Sequence, residues 1–166
     1  DLPSLFKELF RVLKPNGLLL FTTFGLDTLL ELRQSWAAVD SKTHVHPFVD
    51  MHDMGDELLR AKFSDPVMDM EMLQVTYSDV LLIMKDLKAL GAHNMSMTRN
   101  LGLTGKDRLK ACISAYEKFR DMDGQLPVSY EVVYGHAWKP KTSLNSEFRI
   151  SVDKIKRVNS NESDAE

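Results

Sequence analysis

The sequence is short of the features that mark several common classes of protein. Its 166 residues include a single cysteine, Cys112, so no internal disulfide can form, and this disfavours a small secreted scaffold. No apolar run approaches the ~20 residues that cross a bilayer, and no signal peptide is visible. The formal net charge of −3 lacks the basic excess of nucleic-acid-binding proteins. We therefore expect a cytoplasmic protein that binds neither membranes nor nucleic acids.

Glycine-rich cofactor loops and metal-binding patterns are missing as well. No Gly-x-Gly-x-x-Gly occurs anywhere in the chain. His46 and His52 stand six residues apart across a Pro-Phe turn, which is not a zinc spacing, and no pair of cysteines accompanies them. The chain begins at Asp1 rather than at a methionine and enters directly on an amphipathic helix. These features predict a fragment of a longer protein that holds no metal.

The residues that are present indicate an α/β fold. Apolar side chains at helical spacing predict a first helix from Leu2 to Leu13, with Asp1 as its N-cap and residues 14–17 (KPNG) as its end. The unbroken apolar run in the strand that follows, residues 18–23, is typical of a strand covered on both faces. In such folds ligands bind beyond the carboxyl ends of strands, so residues 22–25 are the first candidates for a site.

The remaining pattern predicts four more helices and two more strands. We expect helices over residues 28–39, 50–62, 79–90 and 106–121, and strands over residues 67–77 and 128–138. Thr28 and Glu31 have capping-box spacing at the start of the second helix. The apolar residues of the predicted strand 67–77 change from one face to the other near Met72, which predicts a bulge there. Residues 1–140 form the domain, whereas the polar tail, residues 141–166, is expected to be disordered or a marginal edge strand.

Four segments, together with the helix-KPNG-strand pattern, resemble one enzyme family. They are residues 24–32 (FGLDTLLEL), 46–53 (HPFVDMHD), 86–94 (DLKALGAHN) and 126–138 (LPVSYEVVYGHAW). They look like the C-terminal half of malonyl-acyl-carrier-protein O-methyltransferases of biotin synthesis, which are class I S-adenosylmethionine-dependent methyltransferases. The resemblance runs from about Leu2 to Pro140 and leaves the tail unmatched.

The resemblance implies the C-terminal part of a Rossmann-like class I fold. Its three strands would be the fifth, sixth and seventh of the complete sheet, ordered 5-7-6 with the seventh antiparallel and helices on the flanks. The fifth strand, residues 18–23, would then carry an open edge and uncovered apolar surface where the fourth strand is missing. We expect self-association or strand exchange through that edge.

The resemblance also implies an activity for the complete protein. It would transfer a methyl group from S-adenosylmethionine to the free carboxyl of malonyl-acyl-carrier protein. The loops that hold the cofactor in this family should precede Asp1, so this chain by itself is expected to lack cofactor binding and activity. The acceptor carboxyl is already anionic near neutral pH and needs no general base, so we leave the catalytic residues unassigned.

Candidate site residues follow from the resemblance, each with a plain structural alternative. The cofactor side would include Thr23, Phe24 and Gly25, which otherwise form an ordinary strand-to-helix turn. The candidate substrate-binding residues are His46, Phe48, Tyr77, Asn94, Arg99 and Tyr130. Arg99 is the choice for the free carboxylate because a guanidinium offers paired donors, although it fits a solvated loop equally. Simple packing or loop hydrogen bonding are the alternatives for the tyrosines and His46.

A basic helix face is a candidate surface for the acidic carrier protein. Lys106, Lys110 and Arg120 project within one arc of the predicted fifth helix. A solvated helix surface is the alternative.

Two other functions stay open. Residues 24–29 and the spacing of Tyr130, Tyr134 and Trp138 are also similar to mitochondrial hydroxylases of respiratory complex I assembly, which modify a protein arginine. A non-catalytic interaction module that binds a partner through the exposed sheet edge is the third interpretation.

Overall fold

The computed structural model describes residues 1–92 and 105–141. Asn94, Arg99 and the predicted tail beyond residue 141 lie outside the described residues. The chain order is α1 (Leu2–Val12), β1 (Leu18–Phe24), α2 (Leu30–Ala37), α3 (Met51–Arg60), β2 (Ser64–Tyr77), α4 (Val80–Ala89), α5 (Lys106–Tyr116), a 3-10 turn (Glu117–Phe119) and β3 (Leu126–Trp138).

The three strands form one sheet in the order β1-β3-β2. β3 pairs antiparallel with both neighbours, with Leu18 opposite Trp138 on one side and Tyr77 opposite Leu126 on the other. β1 and β2 therefore run parallel to each other. The predicted α/β class and the strand order first, last, middle are confirmed, while the numbers 5, 7 and 6 in a larger sheet stay a prediction.

Helices cover both faces of the sheet and enclose two apolar clusters. α1 and α3 pack on the face that carries Leu19 and Ala137, around the buried Phe63. The other cluster joins α2, α4 and α5 to Leu126 and Val128 of β3. Because side chains alternate along a strand, the odd and even positions of β3 place these clusters on opposite faces.

β1 is covered on one face only, so the prediction of a strand buried on both faces is wrong. Leu19 is 8% exposed, whereas its neighbours Leu18 and Leu20 are 43% and 72% exposed. This exposure agrees with the uncovered apolar surface that the family resemblance implied for this strand.

The predicted bulge near Met72 is also wrong. β2 pairs regularly through Met72, and its register shift lies between Ser64 and Val67. Asp65 there has a positive φ of 51°, and Pro66 has no amide proton for the ladder. Met72 and Leu73, on opposite faces of β2, are 48% and 44% exposed, so exposure of both faces rather than a slip in pairing explains the mixed apolar pattern.

The helix ends are defined by local residues, with one exception. Asp50 and Asp79 cap α3 and α4 by accepting the amides of His52 and Leu81 at 2.7 and 2.6 Å, as their positions predict. Gly91 ends α4 with φ of 73°. In the described ranges 1–92 and 105–141, no helix combines the length and apolar character needed to span a bilayer.

The exception is α2, where the capping-box prediction is wrong. The helix begins at Leu30 behind an N-cap, Leu29, that has a left-handed φ of 56°. Neither Thr28 nor Glu31 caps it. Both side chains form hydrogen bonds with β3 instead. β1 has ended at that point, so the backbone groups of β3 on that edge need other hydrogen-bonding partners.

Candidate functional site

β3 extends beyond the end of β1, and the loop after β1 takes over the pairing. The amide of Gly25 donates to the carbonyl of Glu131 at 2.9 Å, and the amide of Leu29 donates to Ser129 at 2.7 Å. Between them, the Thr28 hydroxyl accepts from the Glu131 amide and donates to its carbonyl, both at 3.1 Å. The loop is thus held on β3 as an irregular continuation of the sheet.

Two buried carboxylates complete this attachment. Glu31 accepts the amide and the hydroxyl of Ser129 at 3.0 and 2.5 Å, and Glu131 accepts the amide of Asp27 at 2.7 Å. Glu31 and Glu131 are only 6% and 7% exposed. Carboxylates this buried need hydrogen bonds to offset the loss of water. We call this set of contacts, made by Gly25, Asp27, Thr28, Leu29 and Glu31 to Ser129 and Glu131, the loop clamp.

Gly25 is favoured by space rather than by backbone conformation, because any larger residue would displace the hydrogen-bonded carboxyl group of Glu131. A Cβ atom at this position would lie 2.3 Å from the carboxyl carbon of Glu131. The glycine therefore lets the loop approach β3 closely enough for the clamp to form.

The clamp fixes Phe24, whose ring joins the site residues. Its centroid lies 6.1 Å from the Phe48 ring and 5.8 Å from the Tyr130 ring. Phe24 stays 45% exposed, so one part of its surface is available to a ligand. Aromatic pairs at these separations hold each other's orientation.

Two cavities meet at this aromatic group. The larger, of about 600 Å³, has mainly apolar walls made by Phe24, Leu29, Leu32, Val45, Phe48, Leu87, Leu90, Ala92 and Tyr130, with Thr28, His44 and His46 as polar members. The smaller, of about 340 Å³, is lined by α1 and by Thr22 and Thr23. Phe24, His46 and Phe48 belong to both walls. Cavities of this size suit a small molecule or part of a larger one.

Most predicted site residues that the structure describes converge at these cavities. His46, Phe48 and Tyr130 line the larger one with Phe24, whereas Thr23 lines the smaller one. Gly25 lies behind them, against Glu131. Asn94 and Arg99, predicted to bind substrate, lie outside the described residues.

The two candidate tyrosines have different surroundings. Tyr77 lines neither cavity and packs against the cluster of α2, α4 and α5. Burial, followed by a hydrogen bond to Asp86, raises the pKa of Tyr77. Burial also raises the pKa of Tyr130, with the nearby hydroxyl of Tyr77 as the next cause. Both remain protonated hydroxyls near neutral pH.

Sequence reasoning missed His44, which lies on the wall of the larger cavity. Its ring stacks on Trp36 with centroids 3.8 Å apart and planes 8° from parallel, and its Nε2 lies 2.8 Å from Asp40 Oδ1. The Lys42 amide and then His44 lower the pKa of the Asp40 carboxyl. The only sequence signal was the pair Asp40 and His44 four residues apart, which has no meaning outside a helix.

The predicted basic arc on α5 does not include Arg120. α5 ends at Tyr116, and Arg120 follows the 3-10 turn rather than continuing the helical face. Its guanidinium donates to both carboxylate oxygens of Glu117, at 2.7 and 2.8 Å, and to the carbonyls of Ser78 and Gly124. Arg120 therefore holds the chain before β3, while Lys106 and Lys110 are exposed.

Within residues 1–92 and 105–141, no group of three or more His, Cys, Asp or Glu side chains is arranged to hold a metal ion. His52 lines a separate cavity of about 310 Å³ with Gly55 and Met68, away from the walls to which His46 belongs.

Comparison with known proteins relates the chain to one group of enzymes. No family model matches it. It is 55% identical over 145 residues to the malonyl-acyl-carrier-protein O-methyltransferase of Gallionella capsiferriformans, covering 87% of this chain and 50% of that protein. It is 49% identical over 164 residues to malonyl-acyl-carrier-protein O-methyltransferase 1 of Coxiella burnetii, covering 96% of this chain and 57% of that protein. The chain thus spans about half the length of the curated relatives it matches.

A solved structure shares the fold. The YcgJ protein from Bacillus subtilis superposes with a TM-score of 0.50 at 14% identity, covering 86% of this chain and 59% of that one. At this identity the likeness speaks for the fold alone.

Proposed function

Because the chain is homologous to malonyl-acyl-carrier-protein O-methyltransferases over most of its length, we propose that it is the acceptor-side part of such an enzyme. The complete protein transfers a methyl group from S-adenosylmethionine to the free carboxyl of malonyl-acyl-carrier protein, in biotin synthesis. The observation that carries the proposal is the 55% identity to a relative of that name. The joined cavities at the carboxyl end of β1 support it, because ligands bind there in α/β sheets.

The methyl transfer depends on the positioning of its two reactants more than on a general base. A malonyl carboxyl is ionised near neutral pH and is already the nucleophile, so the protein must bring it to the methyl group in the right orientation. The clamped loop and the aromatic group of Phe24, Phe48 and Tyr130 form a rigid wall for that purpose. Arg99 remains our candidate for the carboxylate, with Asn94 five residues before it in the sequence.

The residues of this chain fit only one side of a site for S-adenosylmethionine, which supplies the methyl group. Thr23 and Phe24 stand at the cavity mouth, and the Phe24 ring offers an aromatic face of the kind that attracts a cation. The sequence contains no Gly-x-Gly-x-x-Gly to bring its backbone against the cofactor. We propose that residues outside this chain supply the remainder of that site.

An assay of the complete protein tests the proposal. With S-adenosylmethionine and malonyl-acyl-carrier protein, we expect the methyl ester of the malonyl group, detected by mass spectrometry. An arginine hydroxylase would modify a protein arginine in its partner instead, and a non-catalytic module would modify neither. Calorimetric titration of this chain alone with S-adenosylmethionine should show no tight binding; a stoichiometric complex would contradict the assignment of the cofactor site to other residues.

The single cysteine supports a proposal for the compartment. Cys112 is free and fully buried, so nothing in the chain requires oxidation, and we propose a reducing cytoplasm as its location.

The free edge of β1 supports a further contact. Among the described strands β1 pairs with β3 alone, and Leu18 and Leu20 add exposed apolar surface beside that edge. We propose that this edge pairs with a strand of the remaining protein or of a second copy. Light scattering of this chain at high concentration should show self-association, and a strictly monomeric species would contradict pairing between copies.

Lys106 and Lys110 are the residues we propose for docking the carrier protein. They lie one turn apart and are exposed on α5. Lys110→Glu in the complete protein should weaken binding of the acidic carrier protein, with a larger effect at low salt. Unchanged affinity would remove this surface from consideration.

A further inference from the structure

Two parts of the His44 ring make contacts within the protein, and the residue also lines the larger cavity. One ring face stacks on Trp36 at a centroid distance of 3.8 Å. Nε2 lies 2.8 Å from Asp40 Oδ1, and the side chain is only 10% exposed. His44 also lines the larger cavity, and its other ring face and Nδ1 take no part in these two contacts.

Asp40 selects the tautomer of this imidazole. The Lys42 amide donates to Asp40 Oδ1 at 2.9 Å, and Arg108 lies 3.8 Å from Oδ2, so the carboxyl is held as an anion. An ionised carboxylate only accepts hydrogen bonds, so the proton of a neutral His44 must be on Nε2. Nδ1 then carries a lone pair and acts as an acceptor. Within the described ranges no hydrogen bond to Nδ1 is present.

The surroundings of His44 limit the kinds of group from which Nδ1 can accept a hydrogen bond. Leu32, Val45 and Leu87 make this part of the wall apolar, so a neutral N–H donor suits an acceptor at this wall better than a charged group does. A carboxylate has no hydrogen to donate, so next to the neutral ring it would meet the lone pair of Nδ1 with repulsion. A neutral ligand with methylene groups and an amide N–H fits both requirements. Its methylenes can pack against the apolar wall, and its N–H can donate to Nδ1.

We propose that His44 is a further substrate-binding residue, whose Nδ1 accepts a hydrogen bond from an amide N–H of the pantetheine arm that carries the acyl group. The methylenes of the arm pack against the apolar wall, and Asp40 is a positioning residue that keeps the proton on Nε2. This inference rests on the proposed function, because an acyl-carrier substrate presents its acyl group on such an arm.

The tautomer and the ligand can be tested on this chain without any methyl transfer. Nitrogen-15 NMR of the histidines should show His44 with its proton on Nε2. Titration with pantetheine should shift the Nδ1 signal of His44, and titration with malonate should leave it unchanged. An Nδ1-protonated ring, no shift with pantetheine, or a shift with malonate alone would each overturn the proposal.

Variants of the complete protein give the kinetic test. His44→Phe keeps a ring on Trp36 and removes Nδ1, so we expect KM for malonyl-acyl-carrier protein to rise about tenfold with kcat and KM for S-adenosylmethionine unchanged. His44→Asn places an amide oxygen near the position of Nδ1 and should recover part of the loss. His52→Phe, in the separate cavity, is the matched control and should leave all three constants unchanged.

The outcomes separate the two proposals. A His44→Phe protein with normal KM overturns the role of His44, as does a variant that loses thermal stability but keeps KM. If that variant does not fold, His44→Asn and the pantetheine titration decide. If the complete protein forms no methyl ester, the proposed function fails, while the NMR titration still shows whether His44 binds the arm.

Discussion

The two ends of β3 are packed in different ways. At the end from Leu126 to Glu131, Leu126 and Val128 are fully buried under α2, α4 and α5, and the alternate residues Ser129 and Glu131 hold the loop clamp. At the other end, Ala137 is fully buried under α1 and α3, but Tyr134 and Trp138 on the opposite face are 39% and 42% exposed. Beside the cavities β3 is therefore held by three helices and by the loop clamp, and away from them it is covered by helices on one face. We call these the doubly held end and the singly held end.

This difference assigns a role to each end. The doubly held end supports the cavity walls, where a small displacement of Phe24 would change the shape of the site. The singly held end continues onto β1, where Leu20 is 72% exposed, and so presents apolar surface that another element can cover. The four predictions that follow test this contrast, from the largest expected effect to the smallest.

Truncating a side chain at the doubly held end should cost the most. Leu126 is fully buried, so Leu126→Ala is expected to lower the free energy of unfolding by about 2–5 kcal/mol, through lost burial and a cavity. Urea denaturation of the chain measures this change. The matched control is Leu20→Ala on the exposed face, for which we expect a change within about 0.5 kcal/mol. Equal losses in the two variants would contradict the contrast.

The loop clamp should show strong coupling between Gly25 and Glu131. Gly25→Ala puts a methyl group against the Glu131 carboxyl, and we expect a loss of about 1–3 kcal/mol in the free energy of unfolding. In a Glu131→Ala background, itself destabilised by the unpaired Asp27 amide, the same change should cost much less. A double-mutant cycle by urea denaturation measures the coupling, and additive effects would show that the close approach costs nothing.

Local sequence predicted the parts of this structure that depend on near neighbours. The predicted helices over residues 50–62 and 79–90 are present as α3 and α4, and Asp50, Asp79 and Gly91 define their ends through contacts a few residues away. The convergence of Phe24 with Phe48 and Tyr130 followed from the family resemblance, which agrees with the rule that sites lie beyond strand ends.

The misses have a common physical origin. Thr28 fits a helix cap as well as it fits the clamp, and its real partner, Glu131, is 103 residues away. The neighbouring sequence does not show whether the Thr28 hydroxyl caps a helix or binds Glu131. His44 was missed for the same reason, because its place on a cavity wall depends on α2 and α4 packing around it.

Burial at the doubly held end should also appear as a pH effect. Burial raises the pKa of the Cys112 thiol to about 12, above its value of ~8.5 in an unfolded chain. The folded state therefore favours the neutral thiol. The stability from this group is fully present below about pH 8.5 and is lost as the pH rises toward the folded value.

Cys112→Ala removes this titration. Between about pH 8 and pH 10 the original chain should lose about 1–2 kcal/mol more than the variant. Urea denaturation at several pH values measures both slopes. Parallel slopes would mean that the thiol is accessible to solvent in the folded chain.

The smallest effect on folding is expected at the singly held end. Leu20→Ser should leave the free energy of unfolding within about 0.5 kcal/mol of its original value, because Leu20 already meets water. Any association through this surface should weaken, since the variant removes an apolar contact beside the β1 edge. Light scattering of both proteins at matched concentrations tests this; a stability loss like that of Leu126→Ala would show that Leu20 is buried in solution.

The central position of β3 has a consequence for how the chain is made. Among the described strands β1 and β2 are not neighbours in the sheet, and each pairs with β3, the strand that ends at Trp138. During synthesis neither strand can form its ladder with β3 until that segment leaves the ribosome. The apolar strip of β1, from Leu18 to Phe21, is then available to the wrong partner for the whole interval. Folding of this sheet is therefore a late and non-local event, and it should be slower than its helical content alone would suggest.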